Sequence, residues 1–132
     1  MADTAPNNQG PENQGPENQG DNLIASDRVE GTVVYNLAGE RLGHISNFMV
    51  DKRSGQVRYA LLSFGGFLGM GHDHYPIPWS MLHYDTDKGG YVVDLAKDLL
   101  DEAPRHLPDE RPDYNDAYGR SVFQYYGLIY PW

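Results

Sequence analysis

From Leu23 onward the chain is cut into short apolar-alternating runs, with turn residues recurring roughly every 8–12 positions. That rhythm is the pattern of a small antiparallel barrel or sandwich. Val29 to Tyr35 is expected to form a strand with Val29, Val33 and Tyr35 on one face, and Asn36 to Gly39 a tight hairpin in which the glycine accepts a positive φ. Leu42 to Val50 returns, the turn Asp51 to Gly55 follows, and Val57 to Phe64 makes a third strand. Ala60, Leu61 and Leu62 are apolar in succession, so this strand is predicted to be central, with both faces covered. Gly65 to Gly71 reads as a loop. In Tyr75 to Trp79, Pro76 and Pro78 cannot donate to a ladder, which places that strand at an edge or a bulge. Met81 to Tyr84 and Tyr91 to Leu95 form a last hairpin, and Lys97 to Ala103 a short helix ended by Pro104.

Three regions follow from where the apolar residues lie in the 132-residue chain. Residues 1–21 carry the repeat of Asn, Gln, Gly, Pro and Glu, with nothing to offset the entropy of ordering, and are expected to be a flexible leader. Residues 22–107 hold enough apolar surface for one modest core. Residues 108–132 show no clear periodicity yet contain seven of the sixteen aromatic residues. Such an aromatic tail, read as irregular, should dock on something, because disordered segments are poor in aromatics.

The formal net charge of -9 is concentrated in the flanks, which disfavours non-specific contact with phosphate backbones and anionic membranes. The absence of cysteine excludes disulfides and thiolate chemistry. No secretory signal opens the chain and no apolar run approaches the ~20 residues of a membrane span, so a cytoplasmic location is expected.

Residues 29–104 resemble the PRC-barrel family, the small β-barrel also found in the photosynthetic reaction centre H subunit and in a ribosome-maturation factor. The resemblance is carried by Gly39-Glu-Arg-Leu-Gly43-His-Ile, by Val50-Asp51 with Ser54-Gly55-Gln-Val57, by Tyr59 to Phe64 with its Gly-rich continuation, and by Ile77-Pro78-Trp79-Ser-Met-Leu82. It implies an all-β, small antiparallel barrel with one short C-terminal helix, serving in docking or assembly rather than catalysis.

Candidate chemistry is sparse. His72 and His74 alternate onto one side of a strand and form a candidate metal pair, against the plainer reading of polar residues opening a strand after a loop. The Gly65 to Gly71 run lacks the Lys and Ser/Thr of a phosphate loop. No serine stands in a nucleophile elbow, so no catalytic residue is named and no cofactor is expected. Lys52, Arg53 and Arg58 form a basic cluster that could touch RNA, although three charges in an acidic chain neutralise few phosphates. Phe67, Leu68 and Met70, spaced by glycines, have little local core to enter. Together with Tyr125, Tyr126, Tyr130 and Trp132 they are the expected contact surface of a self-associating, homodimeric protein.

Overall fold

The computed structural model describes residues 22–64 and 73–132. The leader, and with it Phe67, Leu68, Met70 and His72, lies outside the described residues. The fold is all-β: six strands, β1 (Val33–Asn36), β2 (Arg41–Val50), β3 (Val57–Phe64), β4 (His74–Pro78), β5 (Leu82–Asp85) and β6 (Gly90–Val93), make one sheet in the order β4-β3-β2-β1-β6-β5. A short helix α1 (Ser26–Val29) precedes the sheet and a longer one, α2 (Asp116–Tyr125), follows it.

The sheet curls around a largely aliphatic core that includes Val34, Leu42, Ile45, Leu62, Ile77 and Val93. Two hairpins are turned by the same device. Asp51 Oδ1 accepts the N–H groups of Arg53 and Ser54 at 2.9 and 2.8 Å, and Asp85 Oδ1 those of Asp87 and Lys88 at 2.9 and 3.2 Å. An aspartate that bonds the backbone two and three residues on mimics a turn and pins it.

Four expectations are corrected. Val29 does not open the first strand but closes α1; the intervening Glu30–Gly31 turn resets the alternation, so Val34 and Asn36 face inward while Val33 and Tyr35 are half-buried. The sheet is not wholly antiparallel, because β1 and β6 pair in parallel, Val34 opposite Tyr91. Nor does the ladder close into a full barrel. Pro78 leads into a 3-10 turn at Trp79–Met81, and the outer edge of β4 bonds instead to the chain beyond the sheet: His74 N–H to His106 O at 2.8 Å and His106 N–H to His74 O at 3.0 Å. Finally, the tail is not irregular throughout, since α2 runs through its middle. The segment expected as a short helix is a 3-10 helix, Lys97–Glu102, which seats Leu100 in the core before Pro104.

Pro76 and Pro78 stand opposite Leu61 and Tyr59 on an edge strand, as their missing donors require. β3 is an interior strand, and every residue from Tyr59 to Ser63 is buried.

Candidate interaction surface

A strand flanked on both sides and buried on both faces needs two cores, and β3 has two. Ala60 and Leu62 point into the curl of the sheet. Alternation sends Tyr59 and Leu61 to the outer face, where Tyr59 joins Val122 and Phe123 of α2 in a separate cluster. Met49 of β2 and Tyr114, Tyr118, Tyr126, Leu128 and Tyr130 of the tail pack around it. The outer face of the sheet is thus an apolar platform, and the chain's own tail occupies it.

Local sequence builds the occupant. Asn115 caps α2, its side-chain oxygen accepting Tyr118 N–H at 2.9 Å. At the other end Gly127, with φ 72°, takes the left-handed position that non-glycine residues avoid, and Leu128 N–H returns to Phe123 O at 2.9 Å. That reversal folds the last residues back on the helix. Tyr130 and Trp132 meet the Phe123 ring edge-on, with centroids 5.5 and 5.7 Å away. Gly119 lies at the seam between helix and tail end, where a Cβ would stand 2.4 Å from the Tyr130 ring and 2.9 Å from the Tyr59 hydroxyl. A glycine at this position leaves room for both tyrosine side chains.

Aromatic edges tie the face together: Tyr59 lies 5.2 Å from Tyr114 and 5.8 Å from Phe123. Burial, then the neighbouring Tyr130, pushes the Tyr59 phenol up to about 12. Burial likewise drives the Tyr114 and Tyr126 phenols well above the ordinary tyrosine range. At the rim, Tyr125 donates to the Leu99 carbonyl, Tyr130 donates to Asp116 Oδ1 at 2.9 Å, and the Arg58 guanidinium sits 4.1 Å over the Trp132 ring.

The segment between sheet and tail is held by His106. Its Nδ1 lies 2.9 Å from the Leu107 carbonyl, which can only accept, so Nδ1 carries the proton. In the neutral ring Nε2 then accepts from Tyr114 Oη at 2.7 Å. His74, its ring 6.0 Å from that of His106, is buried, and its Nδ1 has no partner among the described residues. Burial, then the nearby His106 and Arg111, hold the His74 imidazole below its ordinary value.

The residues singled out above therefore fall in different places. Tyr125, Tyr126, Tyr130 and Trp132 come together on the sheet of their own chain. His74 is placed under the linker, while its expected companion His72 is outside the described residues; among those residues no three His, Asp or Glu side chains gather as a metal site would require. Lys52 and Arg53 are exposed at the hairpin tip, but Arg58 is drawn away to Asp51 at 2.8 Å and to Trp132. Among the described residues no helix is long and apolar enough to cross a membrane. Two open grooves, of about 370 Å³ beside Arg28 and Tyr84 and about 470 Å³ beside Asn36 and Asp98, lie away from the platform.

Sequence reasoning passed over Tyr59, Met49, Gly119, Val122 and His106. A signal for part of this was present: Asn115 followed by Tyr118, Val122 and Tyr126 at steps of four is a capped helix with one apolar face.

Comparison with known proteins agrees with the fold. A protein of Deinococcus radiodurans, described only as uncharacterized, is 24% identical over 80 residues, which is 61% of this chain. The match spans 28% of that relative's length. The family model for the PRC-barrel domain matches residues 21–100, and the chain belongs to the PRC-barrel family.

Proposed function

We propose that this chain is a non-catalytic assembly module of the cytoplasm, built to hold an aromatic helical segment on the outer face of its sheet and to associate with a second copy of itself. The observation that supports the reading is the second core. Tyr59 on β3, with Met49 of β2 beside it, makes a platform on which an amphipathic helix is seated through Val122 and Phe123. Helix-on-platform packing is a common mode of protein recognition, read through apolar anchors spaced three and four residues apart. Burying each large anchor is worth about 1.5–3 kcal/mol, so a few of them suffice to hold a partner.

The test is the native mass of the intact protein by light scattering, from micromolar to millimolar concentration. The reading expects a mass that climbs from 14.9 kDa toward twice that value. A mass that stays at one chain over the whole range contradicts it.

A further inference from the structure

The tail is tied to the sheet through contacts that do not depend on which chain supplies them. No residue of 108–132 is among the buried members of the inner core, although Tyr125 and Tyr126 pack against it. The outer core, by contrast, takes just Tyr59 and Met49 from the sheet and the rest from the tail. The tail thus supplies most of the outer core and little of the inner one.

The linker has an anchored start, a turn and an anchored end. His106 is bonded to the β4 edge by two backbone hydrogen bonds. Tyr114 is seated on Tyr59 and on the His106 ring. Between them the chain reverses at Leu107–Glu110, closed by a single bond from Glu110 N–H to Leu107 O at 3.2 Å, and residues 107–111 are all exposed. Pro108 and Pro112 bias Leu107 and Arg111, the residues before them, toward extended backbone. Opened, residues 107–114 reach about 25 Å at the polyproline rise of about 3.1 Å per residue.

From this we infer that the tail is an exchangeable element: α2 of one copy seats on β3 of a second copy, and the Leu107–Glu110 turn is the hinge. The inference rests on the self-association proposed above and supplies its route. The exchange is reciprocal and closes with twofold symmetry. Each contact of residues 114–132 with Tyr59, Met49, Leu99, Arg58 and His106 is remade with the partner, and only the hinge turn changes. What opposes exchange is the effective concentration of a tail tethered to its own sheet, on the order of millimolar for a short flexible linker. The prolines extend this linker, which lowers that advantage.

The test uses full-length chains. Tyr59→Ser spoils the platform and leaves the tail intact; Phe123→Ser spoils the tail and leaves the platform intact. Each alone is expected to run as a monomer at about 100 µM, while an equimolar mixture doubles in mass, one tail crossing to the other chain's platform. A mixture that stays monomeric overturns the exchange. If either variant loses its β-sheet circular dichroism, deletion of Asp109 and Glu110 decides instead. Without those residues the chain cannot double back, so exchange requires a dimer at micromolar concentration, and a monomer overturns it. Wild-type association that survives both point variants while their mixture gains nothing removes the exchange and leaves the proposed assembly role standing. Absence of association in the wild type, the mixture and the deletion removes both.

Discussion

The two cores that share β3 are built on different principles. The inner one is mostly aliphatic, with Leu42, Ile45, Leu62 and Ile77 almost wholly enclosed, and it is assembled from all six strands. The outer one is mostly aromatic, mixes enclosed rings with half-exposed ones, and joins two strands to one helix. Aliphatic side chains packed by many strands give a unit that opens as a whole. Phenol rings keep a polar end at the rim, as Tyr130 does in donating to Asp116, and suit a contact that forms and releases. The contrast separates what holds the fold from what the fold holds.

The largest expected effect that probes this division is Phe123→Ala. Removing a buried Phe costs about 3–5 kcal/mol, and here the loss should fall on tail docking while the sheet's own unfolding transition stays in place. Urea unfolding followed separately by the Trp132 region and by far-ultraviolet circular dichroism checks it; one shared transition shifted equally at both probes would mean the cores are not separable. Leu62→Ala should cost about 2–5 kcal/mol and lower both transitions, because the tail has nothing to dock on once the sheet opens.

Gly119→Ala sharpens the comparison further. In a free helix the change stabilises by about 1 kcal/mol, but the added methyl meets Tyr130 and the Tyr59 hydroxyl. Crowding of that kind costs about 1–3 kcal/mol, so docking weakens and the thermal midpoint of the tail transition falls. A rise in that midpoint would show that the Tyr59 and Tyr130 side chains yield freely to the added methyl. Raising the pH acts on the same face. The folded-state Tyr59 phenol titrates at about 12 against an ordinary value of 10.0. Its contribution is therefore complete below pH 10 and is lost as pH rises toward about 12. Phenolate absorbance and Trp132 emission should change together in that window. The smallest effect expected is from deleting residues 1–20, whose composition offers nothing to bury; calorimetry should find the melting temperature unchanged.

Much of the sheet was legible from alternation and punctuation. Val57–Phe64 was read at its full length, and its apolar run announced two covered faces without saying what covered the second. Pro76 and Pro78 marked the edge strand. What escaped depended on distant partners. The parallel pairing of Val34 with Tyr91 joins segments more than fifty residues apart, and nothing near either one signals it. Val29 does not share the face of Val33 and Tyr35, because it closes α1 and the Glu30–Gly31 turn separates it from the strand. The helix α2 hid behind its own composition: Tyr and Phe are weak helix formers, and Gly119 interrupts the run for a packing reason visible only against Tyr59. The platform was half visible as an apolar strand, and its occupant half visible as an aromatic tail. Their meeting was not visible at all.

If the second core on β3 opens independently of the first, amide hydrogen exchange on the full-length protein will report it, comparing residues 118–126 with 59–63 in the wild type and in Phe123→Ser. Protected amides are expected in both segments of the wild type, and in the variant a loss of protection across 118–126 while 59–63 remain protected by their ladders with β2 and β4. Protection lost in both segments together, or retained in both, would contradict it.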